Sequence, residues 1–300
     1  MDRLTELATF ITVVDQGGFA AASRFLRRSP PTITRIVADL EARVGVKLLE
    51  RTSRRCTPTE AGRRLAEHAR NLIADYEQAV SVATGESVAP RGLVRLTAPY
   101  FFGREHVAPA VMRFVDTHDG IFAELDLSDR PQDLVLAGFD LAVRIGPISD
   151  KTLKVRRVGF VRQVIVASPE YLARRGEPAT PEALRKHDLV QHGSQFDAPW
   201  RLQGPTGEVT LRMLPRFTVN QADAALAAAR DGRGLVTALS YQVNDDLAAG
   251  TLVCVLESFE PEPLPVQLIW PDGRDRLRRV RMMIDHLVKE LQGLDVLRSR

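Results

Sequence analysis

The sequence predicts an all-α amino-terminal unit with a basic loop, a long connecting helix, and a carboxy-terminal α/β domain. Three observations carry that prediction. Between Gly17 and Thr59, two short apolar-periodic segments flank a tight turn and lead into an arginine-rich loop. From Glu60 to about Thr84 a single apolar seam continues in steps of three and four. From Leu93 the rhythm changes to short β-rich runs alternating with capped helical segments, the pattern of an α/β domain with mostly parallel sheets.

Leu4, Leu7, Ala8, Ile11 and Val14 give a first amphipathic helix. Gly17-Gly18 breaks the chain, and Phe19, Ala22, Phe25 and Leu26 recur at helical spacing after it. Ser29 is a good N-cap and Pro30 stands where a helix tolerates proline, at its first position. Ile33, Ile36, Val37, Leu40 and Val44 line one face of the next helix, and Gly45 closes it. The opposite face carries Pro31, Thr34 and Arg35, with Thr32 beside them. This short, hydroxyl-bearing, singly basic turn, opening at Ser29 and Pro30, is slim enough for a DNA major groove and able to bond base edges. Arg24, Arg27 and Arg28, and Arg51, Thr52, Ser53, Arg54 and Arg55 in the loop, flank it as phosphate contacts would. For any one arginine taken alone, a solvated face on a helical hairpin is the better reading. Helix, turn, helix and basic loop together favour a nucleic-acid groove.

Thr57-Pro58-Thr59-Glu60 contains every part of a capping box, with Thr57 as N-cap. The helix after it carries Ala61, Leu65, Ala69, Leu72, Tyr76, Ala79 or Val80, and Ala83 as a heptad-like seam roughly 40 Å long. The seam can pack on its own domain or on a second chain. A second chain would supply two reading heads for a two-fold DNA site. Gly85-Glu86-Ser87 through Pro90-Arg91-Gly92 reads as a hinge.

The β-rich runs are LVRLTAP, IFAELDLS, LAVRIG, VRQVIVASP, DLVQHG, RFTVN, GLVTALS, TLVCVL and PVQLIW. Ser168-Pro169-Glu170 and Thr180-Pro181-Glu182 each place a hydroxyl cap before proline and glutamate, and Asn220 opens an alanine-rich helix that Gly232 closes. Ligands of open α/β sheets bind beyond the carboxyl ends of strands, near helix amino termini. The junctions with suitable groups are Pro99-Tyr100-Phe101, Ser128-Asp129, Arg144 with Gly146, His192, and Thr237. The helix opened by Tyr100 could receive an anion on its amides. Phe101 suits either a pocket wall or the core beneath it. Arg144 has two partners open to it, an effector carboxylate or Asp140.

Composition narrows the classes. The chain has 300 residues, a length for about two domains, and a net charge of +3. Residues 1–60 hold ten basic against seven acidic side chains, which accounts for the whole surplus, so the remainder is neutral. Cys56 and Cys254 imply no disulfide framework; either could sense oxidant or be incidental. MDRLTELATF lacks a basic-then-apolar signal pattern and no stretch approaches a membrane span, so a cytoplasmic location is expected. There is no Gly-x-Ser-x-Gly elbow, no phosphate loop and no His-Glu-x-x-His, and the six histidines show no metal-ligand spacing. Neither catalysis, metal nor cofactor is expected. A solute-binding protein with a helical docking module is the competing class, separable by salt sensitivity of DNA binding.

The residues Phe10, Val13, Gly17, Phe19, Ala21-Ala22, Leu26, Ser29, Thr34-Arg35-Ile36, Leu40-Glu41, Gly45, Leu48, Arg51 and Thr59-Glu60-Ala61-Gly62 resemble the LysR-type transcriptional regulators. Leu49 stands where that family usually has Phe, Thr34 where it has Ser, and Cys56-Thr57-Pro58-Thr59 where Leu-Thr is usual. Farther on, RGLVRLTAP with Phe102-Gly103, LSDR, GFDLAVRIG, ASPEYLARRG and LAAGTLVCVL are similar to one subgroup, so the resemblance spans about Leu4 to Leu291. It implies a winged helix-turn-helix over 1–59, a linker and dimerisation helix over 60–88, and an effector-binding domain over 92–295 of the periplasmic-binding-protein type. Lobe one would take about 92–161 and 269–295, lobe two about 162–268. The resemblance also implies double-stranded DNA as partner, a small-molecule effector between the lobes at Pro99, Tyr100, Phe101, Ser128, Arg144, Gly146, His192 and Thr237, a homodimer pairing into a homotetramer, and a contact with RNA polymerase.

Overall fold

The computed structural model of the chain describes residues 2–51, 56–84, 90–193, 199–204 and 207–298. The chain divides into two compact units. The first is Met1–Leu93 with His118–Phe122 and Leu277–Arg279; the second is Val94–Thr117 with Ala123–Arg276 and Val280–Arg300.

The first unit opens with α1 (Arg3–Asp15), α2 (Phe19–Leu26) and α3 (Pro30–Val44), followed by the hairpin of β1 (Leu49–Arg51) and β2 (Cys56–Pro58) and by α4 (Glu60–Thr84). Phe10, Val13, Ala22, Ile33, Val37, Leu40, Leu48, Leu49 and Ala66 form its core. The α2–α3 turn closes on Arg27, left-handed at φ 51°, and the Arg28 amide donates to Ser23 O across 3.1 Å. Two expected core positions lie outside: Phe25 at 67 % exposure, and Val44, one turn past Leu40, at 45 %. Thr57 is not the cap of α4. It pairs with Glu50 in the hairpin, and the helix starts two residues later than a cap there would place it. Thr59 takes the role instead: its Oγ1 accepts from the Gly62 amide at 3.0 Å and donates to Lys47 O at 2.8 Å.

The second unit is built on two five-stranded sheets. After β3 (Gly92–Ala98) come α5 (Tyr100–Phe102), a π-helical turn at Gly103–Val107, and α6 (Ala108–Asp116). Then follow β4 (Ile121–Leu127), α7 (Leu134–Ala137), β5 (Leu141–Ile145), β6 (Leu153–Val161), β7 (Gln163–Ala167), α8 (Pro169–Arg175) and β8 (Leu189–His192). A hairpin of β9 (Trp200–Gly204) and β10 (Gly207–Leu211) precedes β11 (Phe217–Val219), α9 (Ala222–Arg230), β12 (Leu235–Leu239), α10 (Asn244–Ala249), β13 (Val253–Val255), β14 (Leu264–Pro271) and α11 (Arg278–Gln292). One sheet runs β4-β3-β5-β14-β6 and the other β11-β8-β12-β7-β13.

Both sheets are mixed, not mostly parallel. β3 and β5 are parallel, but β14 returns antiparallel to β5 and β6; β8 is parallel to β11 and β12, while β7 runs antiparallel to β12 and β13. The chain changes sheet between β6 and β7 and again between β13 and β14, and the antiparallel members β7 and β14 are the strands that follow each change. The return strand, Leu264–Pro271, contains the run PVQLIW read from sequence. β7 shows why its lobe needs layers on both faces. Ile165 and Ala167 pack with Tyr171, Leu184 and Trp200, while Val164 and Val166 pack with Ala225, Leu226 and Val236.

Ser168 caps α8 as expected, accepting from the Tyr171 amide. Thr180 starts only a 3₁₀ turn and makes no side-chain cap bond, and α9 is entered through Gln221 one residue after Asn220. Among the described residues no helix is long and apolar enough to cross a membrane.

Candidate nucleic-acid interface and ligand cleft

The face of α3 opposite its core is set by helical spacing. Ile33, Ile36, Val37 and Leu40 are buried, leaving Pro31 and Arg35 exposed and Thr32 and Thr34 half-exposed. Ser29 and Pro30 are exposed at the helix start. Ser29 is the N-cap by backbone conformation, yet its hydroxyl bonds the Thr32 hydroxyl at 2.8 Å instead of an amide. The prolines at the first two positions remove two donors from that end. What remains is a row of hydroxyls and one guanidinium on a rigid helix end. Thr52, Ser53, Arg54 and Arg55 lie outside the described residues, and Arg51 enters only through its backbone pairing with Cys56.

Glu41 fixes this face to the hairpin. Its buried carboxylate accepts from the Leu48 and Leu49 amides at 2.8 and 3.1 Å and pairs with Lys47 at 3.1 Å. Burial alone would push its pKa up; the two amides and the Lys47 ammonium outweigh it and hold the carboxyl below its ordinary value.

In the second unit a cavity of about 610 Å³ collects residues from both sheets. Pro99, Tyr100 and Phe101 enter from the β3 junction, Ser128 follows β4, Arg144 ends β5, and His192 ends β8. Gly146 and Thr237 do not line it. Gly146 turns the chain at φ 104° and is pinned to the return strand, donating to Pro265 O and accepting from Gln267 Nε2. Thr237 lines a neighbouring cavity of about 540 Å³ and gives its carbonyl to His192 Nε2 at 3.0 Å. Burial lowers the His192 pKa, so the ring is held neutral.

The sequence reading passes over the other half of the wall. Asn220, Gln221, Asp223, Tyr241 and Leu264 also face the cavity, beside Asp129 of the Ser128-Asp129 junction. The signal for several was available, since Gln221 to Asp223 begin α9 and Tyr241 follows β12. Phe101 is half-buried in this wall, edge-on to Tyr241 at 5.9 Å, while Phe102 is the ring fully in the core. Arg104 lies over Phe101 at 4.8 Å and reaches Asp223 at 3.8 Å.

Two charges contradict simple expectations. The helix start at Tyr100 is not an open anion site, because Asp129 Oδ1 already accepts from the Tyr100 amide at 2.9 Å. Arg144 does not pair with Asp140, whose carboxylate takes Arg274 at 3.1 Å and the Arg95 amide at 2.9 Å. Arg144 Nη1 donates to Val143 O at 3.1 Å, and its buried Nη2 has no hydrogen-bond partner. Burial depresses its pKa, with Asp126 and Asp129 opposing the shift. Cys254 is half-buried, and burial, then Glu257 and Glu260, push its thiol up to about 11. That makes thiolate scarce at neutral pH, the opposite of a reactive sensor. Among the described residues no group of three or more His, Cys, Asp or Glu could hold a metal.

The helix-turn-helix family model for bacterial regulatory proteins of the LysR family matches residues 4–63, and the LysR substrate binding domain matches 87–292. A probable HTH-type transcriptional regulator LtrA of Klebsiella pneumoniae is 30 % identical over 299 residues, covering 98 % of this chain and 97 % of that one. A second HTH-type regulator, from Xanthomonas campestris, is also 30 % identical, covering 96 % of this chain and 85 % of its own. The full-length Vibrio cholerae virulence activator AphB superposes with a TM-score of 0.61 at 27 % identity, covering 96 % and 99 % of the two chains. CrgA, a LysR-type regulator from Neisseria meningitidis, gives 0.61 at 27 % identity over 97 % and 99 %. With a helix-turn-helix unit bearing a β-hairpin and a two-sheet domain around a cleft, the chain belongs to the LysR family of DNA-binding transcriptional regulators, which carry an effector-binding domain and are not enzymes.

Proposed function

We propose that this regulator reads a two-fold DNA site with the amino-terminal turns of α3 and is controlled by a small molecule held in the 610 Å³ cleft. Pro31, Thr32, Thr34 and Arg35 reach base edges, Ser29 and Pro30 lie at the groove edge, and Arg51 to Arg55 hold phosphates. The observation that carries the reading is the exposed Arg35 between two buried isoleucine-bearing turns, on a helix end that also shows Ser29, two prolines and the half-exposed hydroxyls of Thr32 and Thr34. That is the composition a major-groove contact needs.

Pairing of two chains along α4 completes the site. Leu72, Tyr76 and Val80 stand at steps of four on that helix and are 51 %, 55 % and 44 % exposed, an apolar stripe that a second copy would cover. The division into domains at about 59, 88 and 92 belongs to this same reading. Ligand in the cleft biases the relation between the two sheets, and through it the spacing of the paired heads.

Arg35→Ala is expected to lower affinity for the specific site by about 1–3 kcal/mol, roughly ten- to a hundredfold, with thermal stability unchanged. Gel-shift titrations of both proteins on the same operator measure it. Equal affinities would remove Arg35 from base readout.

A further inference from the structure

Resting on the assignment of the cleft as effector site, we propose that the effector is a monocarboxylate with an aromatic or similarly apolar body, its carboxylate on Arg144.

The charge pattern of the wall selects the anion. Arg144 is the only cation among the described residues lining the cavity, and its Nη2 is buried without a partner while Nη1 is engaged by Val143 O. An unpaired buried guanidinium nitrogen is costly, and a carboxylate oxygen satisfies it with a charge-assisted bond. The two helix starts that could hold a further anion are already supplied from within. Asp129 accepts from the Tyr100 amide at the head of α5, and Asp223 accepts from the Ala224 amide at 2.8 Å in the first turn of α9. Asp150 adds a third carboxylate to the wall. A second negative charge on the ligand would therefore face three wall carboxylates and no second lining cation among the described residues, which disfavours dicarboxylates.

The body of the ligand is chosen by the rest of the wall. Phe101 and Tyr241 present ring faces and edges, and Leu153, Leu239, Leu264 and Ile269 supply aliphatic surface. That part of the wall offers a flat, apolar group a surface to pack on, beside the polar groups that would orient it.

The test is calorimetric titration of the full chain with benzoate and phenylacetate as monocarboxylates, phthalate and succinate as dicarboxylates, and benzylamine as the cation. It is repeated with Arg144→Gln, Arg144→Lys and the cleft-filling Ser128→Trp. Expected is binding of the monocarboxylates, weakened about tenfold or more by Arg144→Gln, weakened less by Arg144→Lys, and abolished by Ser128→Trp. Tighter binding of a dicarboxylate or of benzylamine, still abolished by Ser128→Trp, would overturn the ligand class and leave the cleft as the site. Monocarboxylate binding that survives Arg144→Gln but not Ser128→Trp would overturn the role of Arg144 and also leave the cleft. Binding indifferent to Ser128→Trp would place the effector elsewhere and overturn both. Absence of monocarboxylate binding at millimolar concentration would overturn the ligand class alone.

Discussion

Gly62→Ala is expected to cost the amino-terminal unit about 3 kcal/mol or more, enough to abolish specific DNA binding at 37 °C. A Cβ at residue 62 would lie 1.9 Å from the carbonyl oxygen of Leu48 and 2.9 Å from its carbonyl carbon. Both are backbone atoms, so no rotamer relieves the contact. The first turn of α4 would have to lift from the segment entering the wing, taking Ala61, Leu65 and Ala66 away from the core they share with Phe10, Leu48 and Leu49. Gly45→Ala is the matched control. Its φ of +78° makes a side chain unfavourable, but nothing lies within 4 Å of the new methyl, so about 1 kcal/mol is expected. Scanning calorimetry of the two variants separates crowding from backbone preference. Equal losses would mean that the α4 start gives way easily and that the close approach is not a constraint.

Glu41→Ala should cost about 3 kcal/mol at neutral pH, because the buried Leu48 and Leu49 amides would together lose the carboxylate that accepts from them. The pH dependence has a definite sign. The folded carboxyl is held below its ordinary value, so its contribution is complete above the unfolded pKa of about 4.3 and is lost as pH falls through the folded one. The gap in melting temperature between wild type and variant should thus be widest near neutrality and shrink on acidification below about pH 4. A gap independent of pH would show that Glu41 acts through packing, not through its charge.

These two residues also show what a single sequence reveals. The helical elements of the first unit are legible because each has a start and stop signal, as at Pro30 and Gly45 around α3. The purpose of Glu41 is not legible, since an acid next to a buried leucine reads as a surface residue until the chain that needs its oxygens is in place. The start of α4 slips for a related reason. Thr57-Pro58 satisfies the local rule for a cap, but pairing with Glu50 and Leu49 in the hairpin claims it first.

In the second unit most strands of the two five-stranded sheets, edges included, stand out as β-rich runs, and β6 does not. β6 is an edge strand with Lys154, Arg156 and Arg157 exposed, so it lacks a readable pattern. The β9–β10 hairpin is legible by period two, with Trp200, Leu202 and Leu211 inward and Arg201, Gln203 and Thr210 outward. A search confined to apolar runs passes it by. The cleft is half legible. Residues at strand ends nearest a recognisable motif, such as Tyr100 and Arg144, are found, whereas Asp129 on the Tyr100 amide changes the electrostatics and depends on a contact between chain segments far apart.

The central claim, that α3 and its wing read DNA as a pair, is tested most directly by footprinting. The purified protein is titrated onto the DNA upstream of its own gene between about 50 and 200 mM salt. The account predicts a protected two-fold site whose affinity falls by roughly a thousandfold over that range, as six or more phosphate contacts require. Folded protein that protects nothing at low salt, or protects without salt dependence, would contradict it.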